Sequence, residues 1–274
     1  AAQGESFLRP TAGEAEASTP GLRFVRDGAT SDLTESIAWL QSDRPLPDIE
    51  PPDRQARLLA AQGLLAMLEG RDGRPPLEEA LAIDPSLQEA FMALGGLSQG
   101  RGDHEETARC FERATRADRG YIPYWIGLAA ALWAASNDLE AVGGDGAGHR
   151  TRGTAALDEA LEIDPSNAEV FRQKADLLVS EGDAKRHRGK DATADYGAAL
   201  KSAERAVQAE PTRVLFLVML ADVHARLGDW TKSRGEDPRA EYDLAEAVYA
   251  RALGLEPDNL AALANRAIVW QSLG

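Results

Sequence analysis

The chain has 274 residues, of which 43% are hydrophobic, a formal net charge of −15 at pH 7 and a single cysteine, Cys110. The acidic excess argues against a nucleic-acid backbone or an anionic membrane surface as the main partner, because both need a basic footprint. One cysteine excludes an intrachain disulfide and any cysteine-based metal cluster. No apolar run approaches the ~18 residues of a membrane span.

The N-terminal segment differs in composition from the rest of the chain. Residues 1–20 are rich in Ala, Gly, Glu and Thr without periodicity, which predicts a flexible lead-in. The stretch SDLTESIAWLQ, residues 31–41, predicts one short amphipathic helix. Prolines concentrated in residues 44–53 then interrupt helical structure. We therefore assign residues 1–52 to a lead-in that is either flexible or packed on the following domain.

From Asp53 to the C terminus, helical patterns alternate with turn signals, and four helices end in the same way. Each ends in an alanine, an aliphatic residue, two further residues, an acid and a proline: ALAIDP at 80–85, ALEIDP at 160–165, AVQAEP at 206–211 and ALGLEP at 252–257. A proline discourages helical structure at the residue before it, so each run predicts the end of a helix. Recurrence of this kind predicts stacked repeats.

Each repeat is predicted to be a hairpin of an A helix and a B helix. The hairpins are expected at 53–87, 88–121, 122–167, 168–213 and 214–259, followed by a lone helix at 260–274. In the last three hairpins we expect the A helices to end near residues 136, 181 and 227. The chain from 53 to 274 would then form one continuous domain.

The hairpins carry a common set of residue types at common positions. In the hairpin at 214 the A helix has a bulky residue, a leucine and a small residue, which are Leu217, Leu220 and Ala221. The Gly228-Asp229 pair follows. Small and aromatic residues then precede the final proline: Ala245, Tyr249, Ala252 and Pro257. This pattern, repeated in phase over about residues 55–274, resembles the tetratricopeptide-repeat family. The resemblance implies an all-α fold, an α-solenoid with a right-handed superhelical path, in which the Gly-Asp pair forms the corner between the two helices.

The repeat period departs from that family. Repeats start at residues 88, 122, 168, 214 and 260, so one spacing is 34 residues and the next three are 46. Residues 188–211 and 234–257 align without gaps and share ten identities, including an Arg-Gly-x-Asp motif. Asp191 and Asp237 of this motif can cap the following helix. We therefore expect elongated B helices, with the twelve additional residues at their start.

Lengthened repeats with this Arg-Gly-x-Asp motif are similar to repeat regions that follow the catalytic domain in some bacterial serine/threonine protein kinases. The Gly-rich loop, catalytic loop and magnesium-binding motif of such kinases are missing from this chain. The resemblance implies at most an accessory region of a larger signalling enzyme.

Catalytic and metal-binding patterns are weak throughout the sequence. The four histidines are scattered, and His104-Glu105-Glu106 lacks the second histidine of a zinc-protease helix because Ala108 occupies that position. His224 is expected to be packed or hydrogen-bonded on the inner face of its helix, and Cys110 to be a core residue. We expect no catalysis, no cofactor and no metal site.

The resemblance also implies where a partner would bind. In the tetratricopeptide-repeat family the A helices line a concave groove, and the equivalent positions in this sequence are Met92, Ile126, Ala130, Trp133, Arg172, Asp176, Val179, Val218 and Asp222. Of the Lys/Asn/Arg set that clamps a terminal carboxylate in some members, only Arg172 has suitable chemistry. Such a groove would hold an apolar or amphipathic segment, oriented by Arg172 and Asp176. The alternative for Trp133 and Ile126 is packing against a B helix or the N-terminal segment.

These features predict a non-catalytic scaffold whose partner is a protein or peptide. Two alternatives stay open: an accessory region of a signalling enzyme, and a groove or first hairpin covered by the chain's own residues 21–41. On the last helix Leu263, Ala267 and Trp270 lack a following B helix, so we expect the natural protein to continue or another chain to cover this face. Otherwise the face should drive self-association. The chain begins without methionine, so we expect a fragment or processed product; we expect a cytoplasmic protein, with a secreted or periplasmic location left open.

Overall fold

A computed structural model describes residues 29–42 and 51–273. The predicted flexible lead-in, residues 1–20, lies outside this part. The described residues form twelve α-helices and no strand: α1 Ala29–Gln41, α2 Pro51–Leu68, α3 Arg74–Ile83, α4 Gln88–Gly100, α5 His104–Ala117, α6 Ile122–Ala141, α7 Ala147–Ile163, α8 Ala168–His187, α9 Thr193–Ala209, α10 Val214–Ser233, α11 Arg239–Leu255 and α12 Leu260–Leu273. The helices follow the predicted order, with α2, α4, α6, α8, α10 and α12 as A helices. None of the described helices has both the length and the apolar character needed to cross a membrane.

The chain divides into two compact units, an N-terminal unit (Ala1–Gly127) and a C-terminal unit (Leu128–Gly274). In the N-terminal unit each helix from α1 to α5 packs on the next. Helix α1 buries Leu33 and Leu40, and the Arg54 side chain of α2 donates a hydrogen bond to the Leu40 carbonyl at 2.7 Å. The short N-terminal helix is therefore packed on the first A helix. Residues 21–28 of the proposed covering segment lie outside the described residues.

Small residues on the A helices allow close approach of neighbouring helices. In the N-terminal unit the Phe111 ring of α5 fits between two glycines, where a Cβ atom on Gly95 or Gly127 would come within 2.8 or 2.6 Å of the ring. Ala175 and Ala221 occupy the equivalent role in the C-terminal unit and are fully buried. The small residues thus stand where neighbouring side chains and helices approach most closely.

In the C-terminal unit consecutive helices from α7 to α12 pack on one another, and the A helices α8, α10 and α12 also contact each other in that order. Because the repeat spacing is 46 residues throughout this unit, equivalent positions on successive A helices lie side by side. Helix α12 leaves Leu260, Leu263 and Trp270 exposed, and no other described helix covers them. Self-association through this face stays a prediction.

The additional twelve residues of the long repeats are distributed differently from the prediction. The B helices α7, α9 and α11 have 17 residues against 14 in α5, so they are elongated as expected, but by only three residues. The A helices α6, α8 and α10 have 20 residues against 13 in α4. The expected ends near residues 136, 181 and 227 were therefore wrong, since each A helix continues for five or six more residues.

In two of the three long repeats a Gly-Asp pair lies inside the A helix instead of forming the corner, which explains why those A helices are longer than predicted. The Tyr242 ring of α11 packs against Gly228, where a Cβ atom would lie 2.5 Å from the ring, and the Tyr242 hydroxyl donates to Asp229 at 2.7 Å. Tyr196 makes the same contacts with the Gly182-Asp183 pair, with a hydroxyl-to-carboxylate distance of 2.6 Å. We call this arrangement the Gly-Asp/Tyr contact.

The actual corners follow the A helices by one or two residues. Gly189 and Gly235 adopt positive φ angles of 68° and 77°, which glycine tolerates best. Asp191 and Asp237 then accept hydrogen bonds from the first backbone amides of α9 and α11 at 2.9 and 3.1 Å, as predicted for capping residues. The hairpin at 88–121 uses its Gly-Asp pair as the corner, with Gly102 at a φ of 72°.

The third hairpin replaces the Gly-Asp/Tyr contact with a buried arginine. Arg150 lies 46 residues before Tyr196, and Ser136 lies 46 residues before Gly182. The Arg150 side chain is 1% exposed and donates to the Ser136 hydroxyl at 3.0 Å, to Glu140 at 2.8 Å and to Glu181 at 2.6 Å. In two repeats a tyrosine ring thus fills the gap beside the glycine. In the third repeat serine replaces that glycine and narrows the gap, which an ion-paired arginine fills.

Two individual predictions about polar core residues are confirmed. His224 is buried, and its Nδ1 atom lies 2.8 Å from a carboxylate oxygen of Glu241. Cys110 is buried among the helices of the N-terminal unit, and burial raises the pKa of its thiol. Both residues therefore belong to the packing of the repeats.

Candidate binding cavity

A cavity of about 630 Å³ lies in the C-terminal unit, against the A helices. Its lining residues come from α6, α8, α10 and α12, together with two tyrosines of α11. A smaller cavity of about 120 Å³ lies against α6 and α8. Trp133 and Asp176 line both cavities, so they stand where the two meet.

The lining side chains form rows that run across the A helices, each row at equivalent positions of successive repeats. The rows share one face of each helix, because positions three and seven residues apart lie on the same side of a helix. The first row holds Ala130, Asp176, Asp222 and Ile268 at equivalent positions of four A helices. The second row, three residues further along, holds Trp133, Val179 and Ala225. The third row holds Asp183 and Asp229. An apolar row is therefore flanked by two rows that contain carboxylates.

Asp176 lies in the first row on α8 and shares one arginine with another acid. Arg172 donates to Asp176 at 2.5 Å and to Glu169 at 2.6 Å. Burial raises the pKa of Asp176 to about 6, although the neighbouring Arg172 opposes this shift. The carboxylate is thus mostly charged at pH 7, and the guanidinium of Arg172 is already occupied by two acids.

Asp222 occupies the same position on α10. Its Oδ1 atom accepts hydrogen bonds from the Tyr249 hydroxyl and from the Asn265 amide, the latter at 2.8 Å. Burial raises the pKa of this carboxyl group. Its Oδ2 atom accepts no hydrogen bond from the described residues, and none of their cationic groups lies within ion-pair distance of Asp222. Asp222 is a half-buried carboxylate with a free acceptor atom and no ion pair in the described part of the chain, and the charge of Arg226, one turn further along α10, acts on it only at longer range.

The other carboxylates that line the larger cavity have partners. Asp183 lies 3.7 Å from Arg226 and accepts the Tyr196 hydroxyl, and Asp229 accepts the Tyr242 hydroxyl. Glu140 pairs with Arg150 and with Arg188 at 2.8 and 3.2 Å. These three side chains are therefore part of the framework that holds the A and B helices together.

The sequence matches no protein-family model and no curated protein. Solved structures do match: TTC0263, a thermophilic TPR protein from Thermus thermophilus, is 19% identical, with 79% of this chain and 99% of that chain covered and a TM-score of 0.55. YrrB, a TPR protein, is 17% identical over 87% of this chain and 100% of that chain, with a TM-score of 0.53. The C-terminal part of a TPR repeat-containing protein from Cytophaga hutchinsonii is 13% identical over 86% of this chain and 80% of that chain, with a TM-score of 0.58.

The chain has the tetratricopeptide-repeat fold. Because the identities are below 20%, the likeness is one of fold and assigns no partner. The fold accounts for the repeated small and bulky positions described above. Two of the 46-residue repeats hold a Gly-Asp/Tyr contact inside the lengthened A helix.

Most of the residues predicted from the tetratricopeptide-repeat resemblance lie at the two cavities. These residues are Ala130, Trp133, Arg172, Asp176, Val179 and Asp222. The Trp133 side chain is 40% exposed, which favours the groove position over packing beneath a B helix. Met92 and Ile126 belong to the N-terminal unit, are half-buried and line neither cavity.

Val218 is placed differently from the prediction. It is 7% exposed and belongs to the hydrophobic core of the C-terminal unit, and it lines neither cavity. Arg172, at the equivalent position one repeat earlier, keeps its charged group half-buried beside Glu169. An apolar side chain at this position gains more from packing into the core than from facing the cavity.

Several lining residues were missed by reasoning from the sequence. The Gly-Asp pattern predicts that Asp183 and Asp229 are corner residues, whereas their spacing of seven from Asp176 and Asp222 places them on the same helix face. Asn265 of α12 was missed because no motif marks it. The helical spacing alone could have found the two aspartates, provided that the A helices had been extended past the Gly-Asp pairs.

Proposed function

We propose that the chain is a non-catalytic interaction scaffold that binds a peptide or helical segment of a partner protein in the cavity of the C-terminal unit. The observation that supports it is the 630 Å³ cavity lined by equivalent positions of four A helices. This volume lies in the range of about 300–1,000 Å³ that is usual for ligand sites. The cavity is lined by both apolar and charged side chains, as an amphipathic segment requires.

The exposed Trp133 ring is the anchor that we expect a partner to cover. An aromatic side chain that is 40% exposed beside Val179 offers a large apolar area in a concave setting. Rigid helices hold this surface, so little conformational entropy is lost by the scaffold when a partner binds. YrrB is described as a TPR protein with an unusual peptide-binding site, which agrees with this use of the fold.

The proposal is tested by selecting peptides from a random displayed library on the immobilised 274-residue chain. Selected peptides should lose binding to a Trp133→Glu variant and keep it with Trp270→Glu. Trp270 is a matched control because it is also exposed on an A helix but lines neither cavity. Peptides that bind both variants equally would show that the cavity is not the binding site.

The two alternatives raised by the sequence differ in how the described residues bear on them. No observation on these residues favours an accessory role beside a kinase domain. Helix α1 packs on α2 within the N-terminal unit, which agrees with covering the first hairpin. A partner protein is therefore the occupant that we propose for the cavity.

A further inference from the structure

The larger cavity carries an excess of negative charge. Its lining includes five carboxylates, Glu140, Asp176, Asp183, Asp222 and Asp229, and a single guanidinium, Arg226. Counting its aspartate, glutamate and arginine side chains, the lining has four more negative than positive groups. Such a concave surface concentrates cationic groups and disfavours anionic ones.

The negative charge that lacks compensation is concentrated at two positions. Glu140 and Asp183 lie within ion-pair distance of arginines, whereas no cationic group of the described residues lies within that distance of Asp222. Arg226, which lies 3.7 Å from Asp183, acts on Asp222 only at longer range. Asp176 has Arg172, but that arginine also pairs with Glu169. Asp176 and Asp222 occupy equivalent positions on neighbouring A helices, and each is half-buried. The pair therefore carries negative charge that neighbouring arginines balance only in part.

Placing two carboxylates side by side in a half-buried cavity costs free energy in the unbound protein. Burial raises the pKa of both groups, and the Asp222 charge raises that of Asp176 further. A cationic group of a bound partner would relieve this cost, because opposite charges in a partly desolvated site attract more strongly than in water. The free Oδ2 atom of Asp222 is available to accept its hydrogen bond.

The neighbouring row supplies the second half of the recognition surface. Trp133 lies beside Asp176 at the junction of the two cavities, and Val179 follows Asp176 by three residues on α8. An ammonium or guanidinium group near the face of a tryptophan ring is attracted by the ring's negative face. Apolar side chains of the same partner can cover Val179 and the remaining ring surface.

We propose that the bound segment is basic and amphipathic, with a lysine or arginine side chain held by Asp176 and Asp222 and an apolar side chain against Trp133 and Val179. This inference rests on the proposed function, because it specifies the partner of the same cavity. An acidic or phosphorylated segment would place like charges against the two aspartates and is excluded as the occupant.

Asp222→Asn is a variant that removes the charge and keeps the local structure. An asparagine carbonyl oxygen can accept the same hydrogen bonds from Tyr249 and Asn265. Asp243→Asn is the matched control, because Asp243 is exposed on α11 and lines neither cavity. Both variants change the net charge of the chain by the same amount, so they separate local recognition from general attraction.

The experiment selects displayed random peptides on the full chain and then titrates labelled synthetic copies of the enriched peptides, by fluorescence anisotropy, against the wild type and both variants. Enriched peptides should contain lysine or arginine next to apolar residues. Their affinity should fall about tenfold or more in Asp222→Asn and less than about twofold in Asp243→Asn. Asp176→Asn should weaken the same peptides and provides the readout if Asp222→Asn does not fold.

Three results would overturn the inference. Enrichment of neutral or acidic peptides that still depend on Trp133 would refute the basic partner and leave the proposed function intact. Basic peptides weakened equally by Asp222→Asn and Asp243→Asn would show attraction to the net charge alone. Enriched peptides that bind the Trp133→Glu variant as well as the wild type would refute the inference and the proposed function together.

Discussion

Gly228→Ala tests the packing that lengthens the A helices. A Cβ atom at this position would lie 2.5 Å from Cε1 and 2.7 Å from Cδ1 of the Tyr242 ring. Tyr242 is 1% exposed, and its hydroxyl is held by Asp229 at 2.7 Å, so the ring cannot swing aside without losing that hydrogen bond. The added methyl group must therefore push α10 and α11 apart.

The expected magnitude follows from two opposing effects. Inserting a methyl group into a packed core costs about 1–3 kcal/mol, and the fixed ring places this site in the upper half of that range. Alanine is about 1 kcal/mol more favourable than glycine inside a helix. The free energy of unfolding should therefore fall by about 1–2 kcal/mol. Gly197→Ala in α9 is the control, because a Cβ atom there meets nothing within 4 Å and the variant should gain up to about 1 kcal/mol.

The measurement is urea unfolding followed by circular dichroism, for both variants and for Gly228→Ala in a Tyr242→Leu background. Without the ring, the alanine at 228 should become neutral or stabilising. An equal penalty in both backgrounds would refute the Gly-Asp/Tyr contact. It would instead favour strain at a corner glycine, as the sequence pattern first indicated.

Two further predictions concern the third hairpin and the cavity wall. Arg150→Tyr alone should destabilise the chain by about 2 kcal/mol or more, because the new ring meets the Ser136 side chain and the ion pair with Glu181 is lost. Adding Ser136→Gly and Asn137→Asp to this variant should restore much of the melting temperature. For Asp176, the folded-state pKa of about 6 lies above the usual value of 3.8, so the native state binds more protons between these values and stability falls as pH rises through about 4 to 6. Asp176→Asn should remove roughly 1 kcal/mol of this loss, a figure reduced for the 40% exposure of the side chain. The measurement is the melting temperature of the wild type and the variant at pH 4.5 and 7.5. If the difference between the two pH values is the same in both proteins, Asp176 does not have the raised pKa.

The sequence predicted the hairpins well because their signals are local. A proline after an acidic residue ends a helix wherever it occurs, and small residues at Gly95, Ala175 and Ala221 mark close approach. The length of the A helices could not be predicted in this way. A Gly-Asp pair suits either a corner or a packed tyrosine, and the choice depends on Tyr242, which lies 14 residues beyond Gly228 on another helix.

The cavity was predictable in outline and not in its charge balance. The repeat register placed Trp133, Asp176 and Asp222 together, because equivalent positions of stacked A helices lie side by side. The partners that neutralise individual charges come from tertiary contacts that no spacing reveals. Glu169 shares Arg172 with Asp176 on one helix, while Asp222 on the next makes no ion pair with the described residues.

The sharpest test of the binding proposal is a double-mutant cycle between Asp222 and the cation of a bound peptide. A lysine- or arginine-containing peptide selected on the chain, and its copy with that residue replaced by glutamine, are titrated calorimetrically against the wild type and Asp222→Asn. A direct charge pair predicts non-additive losses with a coupling free energy of at least about 1 kcal/mol. Additive losses would mean that the peptide's cation does not meet Asp222, and the cavity would then not be the site of basic recognition.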